Sequence, residues 1–166
     1  MRTEFRRALP AVEIRSLMAF DRKVFAPSDL FAAAYWKACV VYWLIIDGVK
    51  VGCCAFEENV DFRDDLGDVN PSRKGSLYIA STGILPRFQG KGLGMLLKSW
   101  ELSYARLHGF TRIVTNTRSR NTAMIRLNRK FGFRVIRTTP RYYSDPSDST
   151  VVMEFLFAGR DRAAEV

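Results

Sequence analysis

The chain has 166 residues, of which 48% are hydrophobic and 26% are charged, and its net charge at pH 7 is +9. This composition is typical of an ordinary globular protein, and the length suits one hydrophobic core, so we expect residues 1–166 to form a single domain. No apolar run reaches the roughly 18 residues of a membrane span, and the N-terminus has no apolar signal region. No membrane partner is therefore expected.

The three cysteines, Cys39, Cys53 and Cys54, lack the spacing of a metal site. Cys53 and Cys54 are adjacent in a strand pattern, which directs them to opposite faces of a sheet. We therefore expect reduced core cysteines, no metal and a cytoplasmic location.

The charges are unevenly distributed along the chain. Between Leu102 and Ser144 there are ten Lys or Arg residues and no acid, whereas the acids cluster upstream at Glu57, Glu58, Asp61, Asp64, Asp65 and Asp68. One interpretation is two solvated faces. The other is a basic half for an anionic ligand and an acidic loop that attracts a cationic one.

The first third of the chain predicts a strand, two helices and a hairpin. A strand over 3–9 precedes a helix that begins at Pro10 and repeats apolar residues at helical spacing, namely Val12, Leu17, Phe20 and Val24. Ser28 is the predicted N-cap of a second helix over 30–38, which would bury Phe31, Ala34 and Tyr35. The runs 40–46 and 49–56 alternate as strands, and Asp47-Gly48 between them predicts a hairpin. A polar loop follows over 58–74.

The centre of the chain predicts a strand, a glycine-rich turn and a helix. The strand covers 76–85 and ends at Pro86, the turn is Gln89-Gly90-Lys91-Gly92-Leu93-Gly94, and the helix covers 95–107. Its apolar stripe is Leu93, Leu96, Leu97, Trp100, Tyr104 and Leu107. A helix N-terminus presents unpaired N–H groups and partial positive charge, so this turn suits a phosphate, with Arg87 and Lys91 adding charge.

The glycine spacing excludes two common phosphate-binding motifs. The P-loop requires Gly-x4-Gly-Lys-Ser/Thr, and the dinucleotide fingerprint requires G-x-G-x-x-G with an acid about 20 residues later. Neither pattern is present here. A glycine turn without a ligand is the alternative interpretation.

The last third predicts a strand over 112–117, parallel to the central strand because a helix connects the two. His108-Gly109 ends the preceding helix, with His108 as a cap. Asn121 caps a helix over 122–130 that ends at Gly132. Two strands, 133–139 and 150–157, flank a loop over 140–149 that contains Tyr142 and Tyr143, and 160–166 is a tail.

Two motifs together resemble those of the GNAT (Gcn5-related N-acetyltransferase) family. The first is Gln89-x-x-Gly92-x-Gly94, and the second is the stretch from Asn121 to Phe133, which is similar to the family's N-x-x-A-x-x-L-Y-x-x-x-G-F. The resemblance covers roughly 40–157 and implies an α/β fold (α+β in some schemes). It implies a mixed sheet of about seven strands flanked by about four helices, with splayed parallel central strands.

The resemblance also implies the donor and its site. Acetyl-CoA would be the acyl donor, its pantetheine arm bonded to backbone at Thr82, Gly83 and Ile84. Its pyrophosphate would bind the amides of Gly90 to Met95, near Arg87 and Gln89, with Asn121 and Asn128 beside the cofactor. The full set expected to contact it is Thr82, Gly83, Ile84, Arg87, Gln89, Gly90, Lys91, Gly92, Leu93, Gly94, Met95, Asn121 and Asn128.

The catalytic groups depart from the family pattern. Asn128 stands where the family usually carries a tyrosine acid, and asparagine cannot supply a proton at neutral pH. The central strands carry no carboxylate, so Glu57 is the nearest base, unless it only belongs to the acidic loop. Tyr142 and Tyr143 resemble the tyrosine pair of enzymes that acetylate the N-terminal alanine of ribosomal proteins, and packing on the sheet is their alternative role.

The predicted function is acetyl transfer from acetyl-CoA to a primary amine, on a protein N-terminus or a small molecule, with Tyr142, Tyr143 and Glu57 as candidate catalytic residues. One rival is a protein of the same fold that binds acyl-CoA without turnover. A nucleic-acid module, which the pI near 9.8 allows, is less favoured because the acid-free block coincides with the segment expected at the CoA phosphates.

Overall fold

The computed structural model describes residues 1–62 and 72–158, which form one sheet with helices on both faces. The strands are β1 (Thr3–Arg7), β2 (Val40–Ile46), β3 (Val49–Glu58), β4 (Ser76–Ile84), β5 (Arg112–Arg118), β6 (Arg134–Ser144) and β7 (Ser147–Leu156). The helices are α1 (Pro10–Val24), α2 (Ala33–Ala38), α3 (Leu93–Leu107) and α4 (Thr122–Lys130). The predicted mixed sheet of seven strands and four helices is confirmed for these residues.

The order of the strands, β1-β2-β3-β4-β5-β7-β6, follows from the connections between them. Asp47 and Gly48 have φ values of 47° and 81°, as a two-residue hairpin turn requires, so β2 and β3 are antiparallel. Helix α3 crosses over between β4 and β5, and these two strands are parallel as predicted. Tight pairing of β6 with β7 completes the sheet.

The two faces of the sheet carry separate hydrophobic cores. Cys54 packs in the core that includes Leu97 and Tyr104 of α3, whereas Cys53 packs in the core under α1 and α2, with Leu17 and Trp36. The prediction that the adjacent cysteines point to opposite faces is confirmed. All three cysteines are buried free thiols.

Some predicted core residues and one helix start are wrong. Val12 is 80% exposed and Leu107 is 83% exposed. Each lies in a terminal turn of its helix, where the apolar face no longer packs against the sheet. Helix α2 begins at Ala33 with no side-chain cap, while Ser28 lies in a separate 3-10 turn, Pro27–Asp29. In α2 the buried residue is Trp36, and Ala34 is exposed.

The predicted loop over 140–149 is also wrong, because β6 continues to Ser144 and β7 begins at Ser147. Pro140 is tolerated within β6 because this strand is the outermost of the sheet. The register shifts between Thr139 and Tyr143, where Arg141 has a φ of 52°. The tyrosine pair therefore lies on a bulged strand.

Three of the clustered acids, Asp64, Asp65 and Asp68, and the predicted tail over 160–166 lie outside the described residues. Within 1–62 and 72–158, none of the helices is both long and apolar enough to cross a membrane. The same residues contain no group of three His, Cys, Asp or Glu side chains able to hold a metal ion.

Candidate active site

Strands β4 and β5 pair only over their first halves. The register runs from Ser76 opposite Arg112 to Ile79 opposite Thr115, where Thr115 Oγ1 donates to Ile79 O at 3.1 Å. Beyond this point the strands continue to 84 and 118 without pairing to each other. The splayed central strands that the resemblance implies are therefore confirmed.

The unpaired half of β4 directs backbone groups into the gap between the strands. Leu85 N–H donates to Val51 O of β3 at 2.9 Å. Because backbone groups of successive strand residues point to alternate sides, Ile84 and, two residues earlier, Thr82 direct theirs away from β3. Gln89 Nε2 donates to Ile84 O at 2.9 Å, which agrees with this direction. The gap thus presents hydrogen-bonding backbone at Thr82 and Ile84, two of the three positions expected for pantetheine, whereas the backbone groups of Gly83 face β3.

The glycine turn leaves the start of α3 open. Gly90 and Gly92 have φ values of 73° and 79°, and a Cβ at either position would meet no atom within 4 Å. Leu96 N–H donates to Gly92 O at 3.1 Å as the first hydrogen bond of the helix. The amides of Leu93, Gly94 and Met95 precede that bond, and so they are available to an anion.

Basic side chains surround this turn. The Arg87 guanidinium lies 4.8 Å from the centre of the Phe88 ring and the Lys91 amine lies 5.7 Å from it. Lys130 of α4, which sequence reasoning missed, places its amine 3.5 Å from Met95 Sδ. No sequence signal could have found Lys130, because only the packing of α4 beside α3 brings it there.

Much of the remaining charge is paired within the protein. At least four bases of the acid-free block form ion pairs, in which Arg112 binds Asp61 and Glu154, Arg118 binds Asp29, Arg120 binds Asp148 and Arg134 binds Glu154. Glu57 and Glu58 accept hydrogen bonds from Tyr35 and Tyr104. The described members of the predicted acidic cluster, Glu57, Glu58 and Asp61, are therefore engaged in internal contacts.

Two asparagines that the motifs single out have different surroundings. Asn121 Oδ1 accepts from Met124 N–H at 3.2 Å, so its predicted role as a helix cap is confirmed. Asn128 is only 1% exposed, with Nδ2 at 3.8 Å from Met153 Sδ. Its Oδ1 has no hydrogen-bond partner among the residues that the structure describes. Asn128 therefore faces the core between α4 and β7.

A cleft of about 700 Å³, which we call the central cleft, opens where the two strands separate. Most of its lining residues belong to the connection between α1 and α2 and to the strands β4, β5 and β6, and Asp21 of α1 and Asn121 line it as well. Tyr142 and Tyr143 both line it. Glu57 does not, and its Oε2 accepts from Tyr35 O–H at 2.6 Å.

A hydrogen-bonded chain crosses the central cleft through Asn116. Tyr78 O–H donates to Asn116 Oδ1 at 2.6 Å, and Asn116 Nδ2 donates to Tyr143 Oη at 3.1 Å and to Thr150 Oγ1 at 3.2 Å. Since the Tyr143 oxygen accepts in this arrangement, its own hydrogen is available to another acceptor. Burial raises the pKa of Tyr78 and that of Tyr143, so both stay protonated at neutral pH.

The central cleft also contains residues that sequence reasoning did not select. Asp21 lines it, is 2% exposed and accepts from Phe31 N–H at 2.8 Å. Burial raises the pKa of this carboxyl group above its ordinary value. Asp29 and Arg118 line the cleft as an ion pair. An aspartate within an amphipathic helix gives no signal in the sequence, because only the fold turns Asp21 inward.

The model of the acetyltransferase (GNAT) family matches residues 11–133. The chain belongs to this family. It is therefore an acetyltransferase, and acetyl-CoA is its acyl donor. No sequence among curated proteins matches it significantly.

Solved structures of this family share the fold over nearly the whole chain. The ribosomal-protein-S18-alanine N-acetyltransferase from Escherichia coli has a TM-score of 0.77 at 14% identity, covering 98% of this chain and all of its own. The putative acetyltransferase yncA from Salmonella typhimurium, determined with its cofactor acetyl-CoA, has a TM-score of 0.74 at 21% identity and full coverage of both chains. The loading GNATL domain of CurA from Lyngbya majuscula has a TM-score of 0.77 at 14% identity, covering 94% and 98%.

Proposed function

We propose that this acetyltransferase acts on a primary amine, which reaches the thioester of acetyl-CoA through the central cleft. The observation that carries the proposal is that the separated halves of β4 and β5 themselves line the central cleft. An acceptor bound in the central cleft would therefore meet the gap in which the backbone of β4 is available.

The donor site is assigned to the strand gap and the glycine turn. The backbone of Thr82 and Ile84 would hold the pantetheine arm, which passes Gly83 between them, and the amides of the turn and first helical residues would hold the pyrophosphate. Arg87, Lys91 and Lys130 supply the positive charge, and Asn121 lies beside the donor. The open space over Gly90 and Gly92 and the unpaired helix start fit an anionic group at this place.

The chemistry needs few protein groups. Acetyl-CoA supplies an acyl group that is already activated as a thioester, which an amine attacks directly. Ile84 N–H, directed into the gap, would donate to the carbonyl oxygen as negative charge develops there, an effect worth about 3 kcal/mol in other enzymes. Tyr143 would give a proton to the departing sulfur, because its oxygen is held by Asn116 and its hydrogen is available. Because a thiol has a pKa of about 8.5, the thiolate of CoA is a fair leaving group and depends only modestly on this proton transfer.

The amine must also lose a proton before it attacks. Glu57, the base suggested by the sequence, would act only through an intervening water or tyrosine, since it does not line the central cleft. Asp21 does line it, and its raised pKa makes this carboxylate a stronger base than an ordinary aspartate. We therefore propose that Asp21, in preference to Glu57, accepts the proton that the amine loses.

The acceptor that we favour is the free N-terminus of a peptide, with a small amine as the second candidate. Its support is the tyrosine pair in the central cleft together with the structural likeness to the ribosomal-protein-S18-alanine N-acetyltransferase. A cytoplasmic location belongs to the same proposal, supported by the free, buried thiols of Cys39, Cys53 and Cys54.

The test is CoA release from acetyl-CoA with three acceptors, which are a peptide with a free N-terminal alanine, the same peptide with a blocked N-terminus, and spermidine. We expect release with the free peptide and none with the blocked one. Release only with spermidine would move the acceptor to small amines. Binding of acetyl-CoA without CoA release with any of the three acceptors would favour a non-catalytic binder. That alternative is suggested by Asn128 in place of the usual tyrosine and by the lack of a carboxylate on β4 and β5.

A further inference from the structure

Arg118, at the end of β5, binds the turn between α1 and α2, and both line the central cleft. Its Nε donates to Asp29 Oδ2 at 2.8 Å and its Nη2 donates to Asp29 Oδ1 at 2.7 Å. This is the two-pronged geometry that fixes both position and angle of a guanidinium. The side chains are only 12% and 20% exposed, so the pair is shielded from much of the solvent.

The same guanidinium also holds the β6–β7 hairpin. It donates to Pro146 O at 2.5 Å through Nη1 and to Asp145 O at 3.0 Å through Nη2. Ser28 of the turn, which accepts from Arg118 Nη2 at 3.3 Å, donates its own hydroxyl to Asp145 O. One side chain on β5 thus joins two segments that are distant in sequence and that both contribute lining residues to the central cleft.

Arg118 also supports the ring of Tyr143. Its Cζ lies 4.2 Å from the centre of that ring, a distance at which a cation is attracted to the aromatic face. The hydroxyl at the far end of the ring is the one bound by Asn116. Arg118 therefore fixes one face of Tyr143, the residue to which the proposed mechanism gives the proton transfer.

Arg120, two residues further on, offers a natural comparison. It binds Asp148 at 3.2 Å and Ser147 O at 2.8 Å, both on the same hairpin. None of these contacts reaches the turn between α1 and α2, and the Arg120 side chain is 56% exposed. Both arginines are positively charged and bind the β6–β7 hairpin. Of the two, Arg118 also binds the turn between α1 and α2.

We propose that Arg118 is a positioning residue for the acceptor. It holds Asp29 and the β6–β7 hairpin together through a set of contacts that we call the clasp, and the clasp sets the width of the central cleft and the position of Tyr143. This inference rests on the proposed function, because it assigns the central cleft to the acceptor. Loosening the clasp would weaken acceptor binding and leave the donor site, on the glycine turn, unchanged.

The test compares Arg118→Lys and Asp29→Asn with Arg120→Lys, after thermal unfolding has shown that each variant folds. Hydrogen exchange is measured on the segments 26–31 and 142–147 with acetyl-CoA bound. KM is measured for acetyl-CoA and for the peptide with a free N-terminal alanine. Lysine keeps the charge of Arg118 but cannot form the two-pronged pair or lie flat on the Tyr143 ring.

We expect Arg118→Lys and Asp29→Asn to speed exchange in both segments and to raise the peptide KM about tenfold, the effect of losing about one charge-assisted hydrogen bond. KM for acetyl-CoA should stay at the wild-type value, and Arg120→Lys should resemble the wild type in the peptide KM. Equal rises in both KM values, or unchanged exchange in segment 26–31, would overturn the inference. A wild-type enzyme that acetylates neither peptide nor spermidine would instead overturn the proposed function, and the acceptor role with it.

Discussion

Replacing Gly92 by aspartate should remove acetyl-CoA binding while the protein stays folded. Gly92 has a φ of 79° and a Cβ there would meet no atom within 4 Å, so the new side chain has room and the cost is mainly conformational. Left-handed backbone costs an ordinary residue about 1–2 kcal/mol, and less for aspartate or asparagine. The carboxylate would stand at the start of α3, where we place the pyrophosphate.

The expected size of the effect follows from charge and mass action. At a hundredfold excess over its Kd, acetyl-CoA should stabilise the wild type by about 2.7 kcal/mol, which for a chain of this length raises Tm by roughly 5–10 °C. A carboxylate about 5 Å from a phosphate charge costs about 1–3 kcal/mol at effective dielectric constants between those of water and a protein surface. If Kd weakens a hundredfold, only about 0.4 kcal/mol of the stabilisation remains.

The rise in Tm caused by acetyl-CoA is measured by thermal unfolding with and without the ligand. Two variants serve as controls. Gly92→Asn has the shape of aspartate without the charge, and it should keep most of the rise in Tm. Gly109→Asp carries the same charge at the other end of α3, where φ is 76° and the Cβ position is equally open. It should keep the whole rise. If Gly92→Asp binds acetyl-CoA as the wild type does, the glycine turn does not hold the phosphates.

Two further predictions concern the tyrosine pair and the acid stability of the fold. Tyr143→Phe should lower kcat about tenfold or more in the CoA-release assay, because a positioned proton donor is lost. Tyr142→Phe, which removes only the hydroxyl of a 38% exposed side chain, should lower kcat less, and equal effects would contradict the assignment. Burial would raise the pKa of Glu154, but hydrogen bonds from Arg112 and Arg134 outweigh it and hold that pKa below its ordinary value of 4.5. Its stabilising contribution is therefore complete above the unfolded pKa and is lost as pH falls through the folded one. Glu154→Gln should lower Tm at neutral pH, and the difference from the wild type should shrink near pH 3; a constant difference would refute the linkage.

The features that the sequence predicted well are determined within a few residues. Asp47-Gly48 imposes its hairpin because both residues have positive φ, and Asn121 caps α4 through a contact three residues away. The glycine turn likewise sets the start of α3 locally. Such features require no knowledge of what packs against them.

The central cleft could not be predicted, because its contacts join residues far apart in the chain. Arg118 and Asp29 are 89 positions apart, and Tyr78 and Asn116 are 38 apart. The extent of β6 was missed for a related reason, since Pro140 indicates a loop unless the strand is known to lie at the edge of the sheet. A motif can thus locate the donor, whereas the acceptor side depends on tertiary packing.

Asn128 tests whether a motif position still has a chemical role after the residue has changed. The side chain is 1% exposed, and its Oδ1 has no hydrogen-bond partner within the described part of the chain. Leaving such a group buried costs about 1–3 kcal/mol, and leucine has the same number of side-chain heavy atoms. Asn128→Leu should therefore be as stable as the wild type or more so, and it should keep full CoA release. Asn128→Tyr, by contrast, adds a ring to a packed core and should destabilise the fold by about 1–3 kcal/mol. If Asn128→Leu folds but does not release CoA, Asn128 takes part in the reaction, and the reason for choosing Tyr143 as the proton donor to the leaving sulfur is lost.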